Sequence, residues 1–430
     1  MKRKIESQLL AWKEKETGRM PLILGGARQI GKTYILREFG RAHFKNTAYL
    51  NLETNQKMVE YFQDGIVPER LLRYISALTG ERILPGQTLI ILDEIQACER
   101  ALTALKYFCE ETPEFRVAAA GSLLGVAINR QKYSFPVGKV ETITLYPLDF
   151  EEYLWARGKE FLCREIRASY ESMEPLPDAL HQEAVELYRE YLLIGGMPAC
   201  INAFLKRGSF LDVPLVQSEI LDNYIADMAK YASNADSVKI RACYNSIPAQ
   251  LAKDNKKFQY KVVQKGGSAT LFGASIEWLN LAGVVLKCQR INQAFEPIAV
   301  YADLSAFKLY MGDVGLLTMK SGISQQTVLS GEGNTFMGAL TENYVAQQLA
   351  SKGYDLYYWE SSSTAELDFV LQKGNQIIGV EVKKGEHVRS RSLSVFVSNY
   401  KPAYSIRLSL KNFGEKDGLK AIPLYAVFCV

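Results

Sequence analysis

Short apolar runs and polar-punctuated helical stretches alternate along the first third of this chain. Residues 21–24, 48–53, 88–94 and 115–122 read as strands, and the run at 88–94, rich in β-branched and leucine residues, as a buried one. Between the first two runs, Thr33-Tyr34-Ile35-Leu36-Arg37-Glu38-Phe39 carries its apolar residues at helical spacing. Strand and helix in alternation predict an α/β domain over residues 1–145, built on a parallel sheet with helices on both faces.

The period changes at Tyr146-Pro147-Leu148-Asp149-Phe150-Glu151-Glu152-Tyr153-Leu154, which opens a helical region over 146–235. Gly195-Gly196-Met197-Pro198 interrupts that region, breaking a helix and making a tight turn or a close helix contact. Over 236–320 an amphipathic helix with Ile240, Cys243, Ile247 and Leu251 precedes a second helix over 271–281, capped by Ser268. Strand-like runs at 284–287 and 307–311 follow, and helix, helix and hairpin in that order predict a winged-helix-like region. The last segment, 330–430, reads as a smaller α/β domain whose hairpin pairs 366–371 with 376–383 around Gly374-Asn375.

A length of 430 residues suits two to four domains, and 48% hydrophobic with 23% charged residues is ordinary for a soluble globular protein. Seven cysteines without CxxC or Cys/His metal spacing fit a reduced, cytoplasmic setting. The basic start, Met1-Lys2-Arg3-Lys4, leads into the amphipathic Leu9-Leu10-Ala11-Trp12 and not into a signal core. No run approaches the roughly 20 apolar residues of a membrane span, so no membrane partner is expected. A net charge of +4 points weakly to an acidic partner and leaves any nucleic-acid contact to local clusters.

One such stretch carries most of the chemistry. Gly26-Ala27-Arg28-Gln29-Ile30-Gly31-Lys32-Thr33 satisfies GxxxxGK[ST] directly after a strand, so its backbone N–H groups can converge on a triphosphate, with ATP as the expected cofactor. Lys32 is placed to neutralise the β- and γ-phosphates and Thr33 to hold Mg²⁺. The strand at 88–94 ends in Asp93-Glu94: Asp93 for the magnesium shell, Glu94 to orient and deprotonate the attacking water. Ser122, ending the next strand, is either a sensor of the γ-phosphate or an N-cap. Arg130 and Lys139 are either cations presented to a neighbour's nucleotide in a ring or dimer, which makes a homo-oligomer an expected assembly, or solvated surface charges. Small-molecule kinases use the same loop, but no acceptor pocket with its own base suggests itself.

A second constellation lies near the C-terminus. In a strand, residues two apart face one side, so Glu381 and Lys383 project together, and Asp368 joins them across the hairpin. With Glu342 from an upstream helix they could bind Mg²⁺ or Mn²⁺ at Asp368 and Glu381 and activate water beside a phosphodiester; the plain alternative is an edge hairpin with incidental charge. Lys253, Lys256, Lys257, Lys261 and Lys265, interleaved with Phe258 and Tyr260, make DNA a candidate partner, or else form a solvated loop.

Taken in order, GARQIGKT, LDEIQ, YPLDFEEYL, GGMP, KLYMGDVGLL and ELDFV…GVEVKKG resemble a prokaryotic family of AAA-type ATPases fused to a C-terminal domain of unknown function that looks like a PD-(D/E)XK nuclease. The resemblance covers nearly the whole chain. It implies an ATP-binding, ATP-hydrolysing core coupled through a winged-helix-like region to a nuclease-like module. Carried over by position, Gly26, Gly31, Lys32, Thr33, Asp93 and Glu94 serve the nucleotide, and Glu342, Asp368, Glu381 and Lys383 the nuclease chemistry. Gly138-Lys139 stands where many relatives have Gly-Arg, which puts the identity of a trans-acting finger in doubt. Two functions follow: an ATPase whose nucleotide state controls DNA binding or cleavage, and a nucleotide-dependent switch whose nuclease-like fold only docks.

Overall fold

Five strands of the computed structural model, β1 (Leu22–Gly25), β2 (Asn46–Asn51), β3 (Thr88–Asp93), β4 (Arg116–Ala120) and β5 (Glu141–Thr144), make an all-parallel sheet in the order β2-β3-β4-β1-β5. The structure describes residues 1–122, 136–331, 334–361, 365–385 and 391–430. They divide into two compact units. One comprises Arg3–Tyr146 with Leu281–Gly283; the other comprises Met1–Lys2, Pro147–Asn280 and Val284–Val430.

In the first unit every residue of β3 is buried, as a central parallel strand requires. Ile90, Leu92, Leu50 and Ala119 pack under Phe62, Ile75 and Phe108 from the helices Gln56–Asp64, Pro68–Thr79 and Glu99–Glu111. Strand order reverses beside β1, because the chain leaves β1 for β2 and returns through β3 and β4. The crevice beyond the carboxyl ends of these strands is where open α/β sheets bind ligands, and the 26–33 loop, Asp93 and Ser122 all lie there.

The second unit is built on a mixed sheet of eight strands, ordered β12-β13-β11-β10-β9-β8-β6-β7. These are β6 (Val285–Ile291), β7 (Ala302–Met311), β8 (Tyr357–Glu360), β9 (Glu366–Lys373), β10 (Gln376–Val382), β11 (Ser405–Ser409), β12 (Gly414–Lys416) and β13 (Leu419–Pro423). The hairpin expected to be a wing is therefore the edge of this larger sheet, with β6 running parallel to β8 through Gln289, Arg290 and Ile291. The cause lies in β7, whose last five residues, Phe307-Lys308-Leu309-Tyr310-Met311, are all buried and need cover on both faces, which a wing in solvent cannot give.

Three stretches singled out from the sequence meet inside this unit. Asp149 and Glu152 form a reciprocal capping box at the start of Phe150–Ala156. Gly196 donates its N–H to Asp313 Oδ2 at 2.6 Å and accepts from Leu148 N at 2.7 Å. Asp313 also caps the helix Val314–Ser321, accepting from Leu316 N. The buried helix Met337–Ser351 closes the knot: Gln347 accepts from Val314 N, and Gln348 accepts from Phe150 N.

Candidate functional site

Between β1 and the helix Lys32–His43 the chain turns through three left-handed residues, Gly26 (φ 127°), Gln29 (φ 66°) and Gly31 (φ 93°). Gly26 has no alternative, because a Cβ there would sit 2.2 Å from the Leu145 carbonyl oxygen and 2.6 Å from Ile30 Cδ1. Alternating handedness of this kind turns successive N–H groups inward, and the helix adds its own unpaired first-turn donors. Ala27, Arg28, Gln29 and Ile30 form the body of the loop. Lys32 Nζ folds back onto the Ala27 and Gly26 carbonyls, at 2.6 and 3.0 Å. Arg3, read from the sequence only as part of a basic start, is buried and braces the loop by donating to the Ile30 carbonyl at 3.2 Å and the Tyr146 carbonyl at 2.6 Å.

Thr33 Oγ1 donates to Asp93 Oδ2 at 2.8 Å, so the residues expected at the metal already touch. The same oxygen accepts from the Tyr49 hydroxyl at 2.9 Å, a partner that sequence reasoning missed because Tyr49 looks like any aromatic residue in a strand. Glu94 takes a left-handed backbone (φ 50°), and its Oε2 accepts from Gln96 Nε2 and, at 3.3 Å, from Ser122 Oγ. Ser122 and Glu94 thus form one polar pair beyond the carboxyl ends of β3 and β4. The N-cap alternative for Ser122, and Arg130, concern residues 123–135, outside the described residues. Lys139 lies on the surface in an ion pair with Glu110 at 2.9 Å.

The C-terminal constellation also assembles, with unexpected members. Glu381 Oε1 meets Lys383 Nζ at 2.7 Å, and Asp368 Oδ2 accepts from Val382 N at 2.8 Å. Glu342, buried on its helix, is ion-paired to Lys256 and lies 3.8 Å from Lys308 Nζ, while Tyr310 donates to it at 3.2 Å. Lys308 is only 1% exposed and its main partner is Glu366 at 2.6 Å. Four carboxylates, Glu342, Glu366, Asp368 and Glu381, therefore face three ammonium groups. Burial, reinforced by the charge of Glu342, pushes Asp368 up to about 7, and a proton held there brings the cluster to neutrality. Glu342 is held below the ordinary glutamate range because Lys308 and Lys256 outweigh its burial. Burial draws Lys383 down, but its hydrogen bond to Glu381 and the surrounding carboxylates raise it overall.

Two expectations meet this arrangement. The carboxylates expected at a metal, Asp368 and Glu381, share their pocket with lysines. The basic cluster is not wholly a free phosphate-binding face. Lys256 and Lys257 turn inward to Glu342 and Glu360, Lys253 donates to Gln259, and Phe258 stacks on Phe307 with rings 5.3 Å apart. Lys261 and Lys265 remain exposed. One signal for Lys308 was present in the sequence: a lone lysine inside a continuous apolar strand must find a counter-charge.

Residues 18–154 match the model of an AAA domain, while residues 185–327 and 337–427 match two domains of unknown function, DUF8612 and DUF4143. A stretch of 79 residues is 37% identical to uncharacterized proteins of Mycobacterium bovis and Mycobacterium tuberculosis, and it spans 18% of this chain and 18% of each relative. Among solved structures, the Walker-type ATPase of Pyrococcus abyssi is 15% identical over 74% of this chain and 95% of that one, with a TM-score of 0.46. AMPPCP-bound DnaA from Aquifex aeolicus is 13% identical over 65% and 90%, at 0.30. The Aeropyrum pernix ORC1 protein in complex with DNA is 13% identical over 77% and 93%, also at 0.30. Sheet order, loop and matched model agree that the first unit is an AAA-type P-loop ATPase domain. Among the described residues no helix is long and apolar enough to cross a membrane.

Proposed function

We propose that this chain hydrolyses ATP at the 26–33 loop and uses its nucleotide state to control what the C-terminal nuclease-like domain binds, and that this domain docks rather than cuts. The loop from Gly26 to Gly31 would wrap the phosphates with backbone donors. Lys32 would exchange its two neutral carbonyl acceptors for charged phosphate oxygens, which bind an ammonium group more strongly. Thr33 and Asp93 would hold Mg²⁺, since both offer the oxygen donors a hard cation takes and their hydrogen bond already brings them together. When bound, the ion supplies neutralisation of the phosphate charge. Glu94 would orient the attacking water and take its proton, and Ser122 would pass to Glu94 the presence or loss of the γ-phosphate through their shared hydrogen bond.

The docking half of the proposal is carried by Lys308, a buried ammonium ion-paired with Glu366 and close to Glu342, whose charge also reaches Asp368 in the pocket where a nuclease would hold its metal. A cutting domain is favoured by a single different observation: Glu381 Oε2 is buried with no hydrogen-bond partner among the described residues, beside the intact Glu381–Lys383 pair. Purified protein, incubated with ATP and with plasmid or single-stranded DNA in Mg²⁺ or Mn²⁺, separates these readings. Lys32→Ala is expected to abolish nucleotide binding and hydrolysis, and Lys383→Ala to alter no DNA cleavage. DNA cutting that disappears in Lys383→Ala would replace docking by nuclease action, and hydrolysis that survives in Lys32→Ala would remove the proposed ATP site.

A further inference from the structure

We propose that Tyr49 is a positioning residue for Asp93, whose hydroxyl fixes the carboxylate shared with Thr33 and so sets how firmly the chain holds the divalent cation of its nucleotide. This rests on the ATPase reading above. Tyr49 lies on β2, the edge strand, opposite Ile91 of β3, while Asn51 lies opposite Asp93; Tyr49 and Asp93 are thus diagonal neighbours within reach of an aromatic side chain.

Among the described residues the Asp93 carboxylate is held by three donors. Thr33 Oγ1 at 2.8 Å and the Tyr49 hydroxyl at 2.9 Å converge on Oδ2, and Glu94 N at 3.1 Å donates to Oδ1. A carboxylate turns easily about its last torsion, so loss of one donor from Oδ2 frees the group whose direction matters to a cation. A Thr33 oxygen that met a cation would do so through a lone pair and keep its proton on Asp93, so Thr33 and Tyr49 together would fix Oδ2. The Arg37 guanidinium lies 5.0 Å above the ring and steadies it from outside. The ring is half-buried and lines an open groove of about 700 Å³ with Thr33 and Arg37, so removing its hydroxyl leaves no hole in the core.

Tyr49→Phe in the full chain tests this. The ring and its contact with Arg37 stay and only the hydroxyl goes. Mn²⁺ affinity is read by electron paramagnetic resonance with a non-hydrolysable ATP analogue bound, beside kcat, KM for ATP and the Mg²⁺ concentration for half-maximal hydrolysis. The Mn²⁺ Kd and the Mg²⁺ half-saturation are expected to rise about tenfold, the scale of a lost hydrogen bond to a charged group, while KM for ATP at saturating Mg²⁺ stays within about twofold. A merely structural hydroxyl would move thermal stability and neither metal constant, which overturns the inference. A rise in KM alone also overturns it, since that assigns Tyr49 to nucleotide binding. If the wild-type chain binds and hydrolyses ATP in a Lys32-dependent way and Tyr49→Phe matches it, the inference alone fails; if the wild type binds no nucleotide, both it and the ATPase reading fall.

Discussion

Asp368 illustrates how one side chain can report the condition of a whole pocket. Free in water its carboxyl would ionise near 3.8; in the folded chain burial and the charge of Glu342 lift it to about 7. Between those values the native state keeps a proton that the unfolded chain releases. That contribution to stability is complete below about 3.8 and is lost as pH rises through about 7. Asp368→Asn keeps an acceptor for Val382 N but does not titrate. Its stability relative to wild type, from urea melts, is expected to grow by about 2 kcal/mol between pH 5 and pH 8. A difference independent of pH would mean that Asp368 is ionised throughout. The carboxylates themselves were legible, since Asp368, Glu381 and Lys383 converge as strand geometry requires. Their counter-charges were not, because Lys256 meets Glu342 from 86 residues away, and sequence carries no mark of which distant charge answers a buried one.

Secondary elements were most legible where local chemistry forces them. Four of the five strands of the parallel sheet were legible, at 21–24, 48–53, 88–94 and 115–122, and the loop at 26–31 was visible from the spacing of Gly26, Gly31, Lys32 and Thr33. The Gly195-Gly196 break was readable as a helix end with a tight turn or a close helix contact, but its partners were not. Gly196 is there because a Cβ would lie 2.1 Å from the Leu148 carbonyl oxygen and 2.9 Å from its nitrogen, the strand of chain it is hydrogen-bonded to. Backbone cannot yield as a side-chain tip does, so Gly196→Ala is expected to lose about 3 kcal/mol or more of stability in chemical denaturation. A loss under about 1 kcal/mol would show that this knot can open at small cost. The wing-like hairpin was misjudged for a related reason: strand-forming sequence does not say which sheet a strand joins, and β6 finds its second neighbour, β8, only after the chain has run on to Tyr357.

At the scale of the whole chain, the +4 charge overstates what remains for an acidic partner, since much of the lysine-rich segment is spent on internal ion pairs. With Lys261 and Lys265 the two lysines of that segment still exposed, duplex binding followed by fluorescence anisotropy is expected to weaken with salt at a log–log slope of about −2, against roughly −4.5 were all five lysines on phosphates. Lys257→Ala should leave that slope unchanged; a shallower one would place Lys257 on nucleic acid.

The shared eight-stranded sheet bears on how such a domain travels between proteins. A segment beginning at residue 337, where the C-terminal domain match starts, carries Glu342 and Glu366 but leaves Lys256, Lys308 and the strands β6 and β7 behind. Transplanted alone, it would arrive with an uncovered sheet edge and carboxylates lacking their cations. A transplant that kept these charges paired would begin before Lys256 and bring β6 and β7 with it.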